Sequence, residues 1–219
     1  GCVRLDAETF TNNDVIQFSK EHFISLKYDA WNDSIGQELF SNHNGYAIPL
    51  LVFLNNKGEE VDRIVGFKPY DEYLSFIKNV VDGKSTYLDL YDKFQLGERS
   101  ESILKSLSSK SDLMKNDDLS YQIYSFIDQN KNNFSAKLIE NSKFFFASRE
   151  GGENRIVLLN KFISEHPNSS KSMDAYYAVI GYYKSIQDTI NEANTYTKMI
   201  ANYPQDIWIL NGYSWRMSQ

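Results

Sequence analysis

The sequence predicts an α/β segment over residues 1–83, followed by an all-helical region over residues 84–219. A continuous apolar run from Pro49 to Leu54 is typical of a strand buried on both faces of a sheet. Turn residues and a second strand-like segment follow it, which indicates a hairpin. From residue 84 onward, apolar side chains recur at helical intervals and strand signals are absent. We therefore expect two domains, 1–83 and 84–219.

Seven elements are predicted in the first segment, in the order helix, helix, strand, helix, strand, strand, helix. Ser34 and Gln37 form a capping box, which indicates that a helix begins at Ser34. The last helix begins after Pro69 and ends at Gly83, a residue type favoured at helix C-termini. The residues that indicate the seven elements are 2–10, 14–18, 23–29, 34–40, 50–54, 60–67 and 70–83.

The helical region contains an internal repeat. Residues 161–169 (KFISEHPNS) recur 37 residues later as residues 198–206 (KMIANYPQD), and both copies end a helix at an aromatic residue followed by proline. Small and aromatic residues between the copies suit antiparallel helices that approach closely. This pattern resembles tetratricopeptide-type repeats, whose usual period is about 34 residues. The resemblance implies a helical-repeat domain that binds a substrate or a protein partner.

Charge and composition exclude several classes of function. The net charge is −6, and residues 1–83 carry seven Lys or Arg against thirteen Asp or Glu. No basic stripe is present to neutralise phosphates, so we expect no nucleic acid partner. The longest apolar stretch, residues 47–54, is much shorter than the about 20 residues of a membrane-spanning helix. His22, His43 and His166 share no ligand spacing, so no metal site is predicted, and no cofactor fingerprint appears.

The chain contains a single cysteine, Cys2, at the start of the first predicted helix. One cysteine excludes an internal disulfide and a metal cluster built on several cysteines. Cys2 is then an inert packing residue, a free thiol or one half of a separated pair. Because the sequence starts with Gly1 rather than Met, we expect a trimmed fragment whose targeting segment is not visible.

Several motifs occur in a meaningful order along residues 2–83. The motifs are Cys2, Leu5-Asp6, Thr9-Phe10, Ile48-Pro49 before the buried strand, and Arg63 to Phe67 with its internal glycine. Together they resemble the thioredoxin-like family, with Cys2 at the second cysteine of Cys-x-x-Cys. The basic residue that commonly follows this cysteine in the family is replaced here by Val3, with Arg4 one position later. The resemblance implies an incomplete α/β thioredoxin-like domain, in which the first strand and the nucleophilic cysteine are missing, followed by the all-α helical-repeat domain.

The same resemblance implies a thiol-disulfide oxidoreductase that acts on protein or peptide disulfides. Cys2 would be the resolving thiol, which attacks the mixed disulfide formed by the partner cysteine. Ile48 and Pro49 would form the substrate-binding surface, with Pro49 in the cis form and an extended substrate backbone beside it. No cofactor or metal is implied. Family members with added domains often work outside the cytoplasm, so a periplasmic or other extracytoplasmic location is expected by resemblance.

The alternative is a non-catalytic interaction module. In that interpretation the first segment is a scaffold, Cys2 is a small packing residue, and the helical repeats bind a peptide. The absence of a second thiol in this sequence and the many aromatic residues of the helical region favour this alternative.

Overall fold

The structure, a computed structural model, describes residues 1–217. It is 67% helical, and within this range its only sheet is a two-stranded antiparallel pair. This composition fits an all-helical protein more than an α/β thioredoxin-like domain, so the predicted α/β fold class is wrong. The predicted strand over residues 23–29 is wrong: these residues have no regular secondary structure and pair with no other described segment. An extended chain becomes a strand only when a neighbour supplies its hydrogen-bond partners, and none lies alongside here.

The bounds of the elements are as follows. The helices of the described range are α1 (Cys2–Arg4, continued by a π-helical turn, Leu5–Thr9), α2 (Asn13–His22), α3 (Ser34–Asn42), α4 (Tyr70–Asp82), α5 (Tyr87–Gln95), α6 (Glu101–Met114), α7 (Asp117–Gln129), α8 (Ala136–Arg149), α9 (Gly152–Glu165), α10 (Ser172–Ser185), α11 (Thr189–Asn202) and α12 (Ile207–Met217). The strands are β1 (Leu50–Leu54) and β2 (Glu60–Val65). A short 3-10 helix, Lys131–Asn133, precedes α8.

The chain forms two compact units, one from Gly1 to Ile123 and one from Tyr124 onward. The division falls inside α7, whereas the sequence places a domain boundary at residue 83, at the end of α4; that boundary stays a prediction. Of the helices that the structure describes, none has the length and apolar character needed to cross a membrane.

The core of the first unit joins the hairpin to α2 and α4. Successive side chains of a strand point to opposite faces, and the register of the hairpin places Phe53 of β1 and Ile64 of β2 on the same, buried face. Tyr73 and Ile77 lie one turn apart on α4 and pack against that face. Gly83 ends α4 with a φ of 63°, a left-handed conformation that glycine adopts without a steric penalty. Two of the three predicted strands, those over 50–54 and 60–67, and the predicted helix over 70–83 are present in the structure. The expectation that the first of these strands is buried on both faces is wrong, because only Phe53 of β1 is buried and the described sheet has two strands.

The second unit packs α9, α10 and α11 around a shared apolar core. The two copies of the sequence repeat end their helices in the same way. His166 follows α9 with φ −133° and ψ 54°, and Tyr203 follows α11 with φ −130° and ψ 60°. Each donates its backbone N–H to the carbonyl oxygen four residues earlier, at Phe162 and Met199. The repeated sequence therefore encodes a repeated helix end.

Candidate functional site

Cys2 lies at the start of α1, and its side chain is exposed. The helix is held in place from its other end. Leu5 is buried, and the buried Thr9 donates its hydroxyl to the carbonyl oxygen of Lys68 over 2.6 Å. An inert packing cysteine is usually buried. The exposure of Cys2 therefore argues against a packing role and leaves the thiol accessible to a reagent or substrate.

The residue beside Cys2 lies against Pro49. A Cβ placed on Gly1 would be 2.6 Å from Cδ of Pro49 and 3.7 Å from the carbonyl oxygen of Ile48, so only glycine allows this approach. The Ile48–Pro49 peptide bond is cis. Pro49 is fixed to the hairpin, because its carbonyl oxygen accepts from the N–H of Gly66 over 2.8 Å. The structure thus places Gly1, the direct neighbour of Cys2, against Pro49 and the carbonyl oxygen of Ile48.

Exposed apolar side chains belong to the residues next to this contact. Val3 follows Cys2 and is exposed, and Ile48 is 44% exposed. The segment 23–29, which is tied to the first helix, also presents apolar side chains to solvent, with Ile24 94% and Leu26 74% exposed.

Charged pairs hold the elements around Cys2. Arg4 donates from two nitrogens to the carboxylate of Glu8, and this hydrogen bond raises the pKa of Arg4 and lowers the pKa of Glu8. The guanidinium of Arg4 also lies 3.8 Å from the centre of the Phe67 ring. Lys27 donates to both carboxylate oxygens of Asp6, at 2.9 and 2.8 Å, and so connects the segment 23–29 to the first helix. These contacts position the start of the chain without placing an acid or base on the thiol.

A second group of polar side chains lines a cavity of about 450 Å³ in the first unit, and sequence reasoning missed it. Nδ1 of His43 lies 2.8 Å from Oε2 of Glu60, which also accepts from the buried Arg63. On the same wall, Asn116 donates to the hydroxyl of Tyr87 over 3.0 Å, and burial raises the pKa of that tyrosine. These residues are far apart in sequence and match no motif, so only the packing of the hairpin against α5 and α6 assembles them.

The second unit has a shallow groove of about 290 Å³ along α11. Its lining consists of amide, hydroxyl and ammonium groups. They belong to Asn160, Tyr183, Asn191, Asn194, Thr195, Thr197 and Lys198. The spacings of four residues from Asn191 to Thr195 and three from Thr195 to Lys198 place these residues on one side of α11. Lys198 forms no ion pair with any residue in the described range, and no carboxylate lines this groove.

In residues 1–217, no group of three or more His, Cys, Asp or Glu side chains is arranged to hold a metal ion. No known family model, curated protein or solved structure matches the chain.

Proposed function

We propose that the chain takes part in thiol-disulfide exchange with protein or peptide disulfides, with Cys2 as the reacting thiol and Ile48 and Pro49 as the surface that receives the substrate. The observation that carries the proposal is the approach of Gly1 to Pro49 beside an exposed thiol. The motif resemblance at Cys2 and Pro49 is a further reason. In the intact parent protein, Cys2 would act as the resolving thiol, at an extracytoplasmic location where disulfides persist.

The resolving role needs a partner cysteine, and this sequence contains only Cys2, so the step open to this chain is a direct exchange that begins with the thiolate of Cys2. Its sulfur attacks one sulfur of the substrate disulfide, so a bond forms between Cys2 and that half of the substrate while the original S–S bond breaks. The second half leaves as a thiolate and takes up a proton from water. No electrons enter or leave the pair of molecules, since one disulfide replaces another. The apolar side chains of Val3 and Ile48 favour a substrate with apolar residues beside its cysteine.

The test measures how fast the chain reacts with a chromogenic mixed disulfide. The probe joins 5-thio-2-nitrobenzoate to the cysteine of acetyl-Leu-Cys-Leu-amide, and exchange releases the coloured thiolate. Ile48→Asn should slow the reaction roughly tenfold, because a lost contact of about 1.4 kcal/mol changes a rate by that factor. Cys2→Ser should release no colour.

A matched control is Val81→Asn on α4, since Val81 and Ile48 are 42% and 44% exposed. This variant should react like the unchanged chain. Equal rates for Ile48→Asn and Val81→Asn would show that Ile48 does not receive substrate. If the unchanged chain exchanges with the probe no faster than a cysteine in an unstructured peptide does, the surface around Cys2 does not promote thiol-disulfide exchange.

A second candidate function is peptide binding by the groove along α11. Its amides and hydroxyls can pair with the backbone of an extended peptide, and Lys198 can pair with a carboxylate. We expect a peptide ending in Asp-Glu to bind there, and Lys198→Glu to weaken binding more than tenfold through charge repulsion. Titration followed by fluorescence anisotropy measures this. Lys184→Glu on α10 is the control. Equal peptide binding by the two variants would show that the groove along α11 is not the peptide-binding site.

A further inference from the structure

The polar cavity of about 450 Å³ in the first unit contains none of the residues assigned to the thiol chemistry. Its wall is built by the end of α3, by β2, by the start of α5 and by the turn between α6 and α7. Cavities of roughly 300–1,000 Å³ hold small molecules. Met114 is the only aliphatic side chain among the described residues of this wall, so an apolar occupant would leave most of the polar groups unpaired.

The charges of the wall are nearly balanced. The wall carries three carboxylates and two cationic groups, which belong to Glu60, Asp117, Asp118, Arg63 and Lys115. The buried guanidinium of Arg63 donates to both carboxylate oxygens of Glu60, at 2.6 and 2.8 Å, so these two charges neutralise each other within the wall. Because neither sign dominates, the wall attracts a charged small molecule only weakly.

Glu60 also fixes the position of the proton on His43. Nδ1 of His43 lies 2.8 Å from Oε2 of Glu60. A carboxylate that is paired with a guanidinium only accepts hydrogen bonds, so Nδ1 must carry the donated proton. In the neutral ring the other nitrogen, Nε2, is then an acceptor. Nε2 makes no hydrogen bond with any described residue, so His43 contributes an open acceptor to the cavity that it lines.

The wall also contains open donors. The hydroxyl of Tyr87 accepts from Nδ2 of Asn116 over 3.0 Å, and burial raises the pKa of this tyrosine. The hydroxyl therefore keeps its proton, which no described residue accepts. The side-chain amides of Asn42 and Asn44 line the same cavity and make no hydrogen bond with a described residue, and an amide both donates and accepts. The wall thus presents open donors together with open acceptors.

We propose that this cavity binds a small neutral polyol, a sugar or a cyclitol, with one ligand hydroxyl donating to Nε2 of His43 and another accepting from the hydroxyl of Tyr87. A hydroxyl group both donates and accepts, so it satisfies each kind of open group on this wall. The near balance of charge favours a neutral molecule over a phosphate or an amine. This site is separate from Cys2, and the proposal does not rest on thiol exchange.

The test uses the full chain, labelled with ¹⁵N at histidine, and three neutral probes, which are glucose, maltose and myo-inositol. Before a probe is added, a two-bond ¹H–¹⁵N correlation spectrum should show the proton of His43 on Nδ1. At least one probe should shift the Nε2 resonance of His43 saturably, with a Kd on the order of 1 mM. The resonances of His22, which is not among the lining residues, should not move. A proton on Nε2 in the free protein, or shifts that saturate with none of the three probes, would overturn the proposal.

A matched pair of variants and two charged sugars test the contacts. Tyr87→Phe should weaken binding about fivefold, the change expected for the loss of one neutral hydrogen bond. Tyr91→Phe should leave binding unchanged, since Tyr91 is a partly buried residue of the same helix that is not among the lining residues. Glucuronate and glucosamine should bind no more tightly than glucose. Equal binding by the two variants, or tighter binding of either charged sugar, would contradict the proposed polyol site.

Discussion

At the residue scale, the buried charges of the first unit are held in pairs. The carboxylate of Asp62 accepts from Lys110, and the guanidinium of Arg63 is held by two hydrogen bonds to Glu60 and a third to a backbone carbonyl. Burial is the main cause of a raised pKa at Asp62. Lys110 lies 48 residues from Asp62 in sequence. Sequence reasoning could not find this pair, since no local pattern links a strand residue to a helix that distant.

Removal of Glu60 should destabilise the first unit strongly. The side chain of Arg63 is 3% exposed, so Glu60→Ala leaves a buried guanidinium without a carboxylate. A broken buried pair costs about 3–5 kcal/mol. Urea denaturation followed by circular dichroism measures the change in the free energy of unfolding.

Glu72 provides the matched comparison. It pairs with Lys68 at 3.0 Å, but its side chain is 58% exposed. Water screens this pair, so Glu72→Ala should change the free energy of unfolding by about 0–1 kcal/mol. Similar losses for the two variants would contradict the role assigned to burial at Glu60.

At the element scale, the helices begin where the local sequence suggests, but the residues that cap them differ. A capping box predicts that Ser34 caps α3; in the structure Asp33 accepts from the N–H of Ile35, and Gln37 donates to the carbonyl oxygen of Trp31. Asp, Asn, Ser and Thr are all good caps, so adjacent candidates compete. The backbone conformation decides, because Asp33 is extended while Ser34 is already helical.

The cap assignment predicts opposite results for two neighbouring alanine substitutions. Asp33→Ala removes the acceptor for the first turn of α3 and should lower the free energy of unfolding by about 1 kcal/mol. Ser34→Ala should not lower it, because alanine has the higher helix propensity. Thermal unfolding of the two variants measures both effects. A larger loss in the free energy of unfolding for Ser34→Ala than for Asp33→Ala would show that Ser34 caps α3.

At the scale of the whole molecule, each compact unit has its own core, and the first unit also has an exposed stretch without regular structure. Residues 24–28 make no backbone hydrogen bond with the described part of the chain, so no local unfolding is needed before a protease can bind them. Exposed backbone without hydrogen-bond partners is a preferred substrate of proteases.

Limited digestion with chymotrypsin should therefore cut first after Leu26 or Tyr28. Mass spectrometry of the earliest fragments identifies the site. Leu96 is the internal comparison, since its side chain is 84% exposed while its N–H donates to Asp92. A first cut at Leu96 would show that side-chain exposure rather than the open backbone controls cleavage.

The sequence by itself determined the features that depend on near neighbours. The apolar run of β1, the period of α4 with its terminal glycine, and the repeated helix ends at His166 and Tyr203 follow from local patterns and agree with the structure. Local patterns work here because helix and hairpin hydrogen bonds join residues close in sequence.

Only the tertiary structure decided the remaining features. Residues 23–29 have a strand-like pattern, but a strand requires a partner that alternation cannot supply, and the two-stranded sheet leaves them unpaired. The approach of Gly1 to Pro49 and the contact of His43 with Glu60 likewise depend on how distant segments pack. Such contacts are fixed by the burial of the whole core and not by any one stretch of sequence, which is why the cavity at His43 and Glu60 and the groove along α11 became visible only in three dimensions.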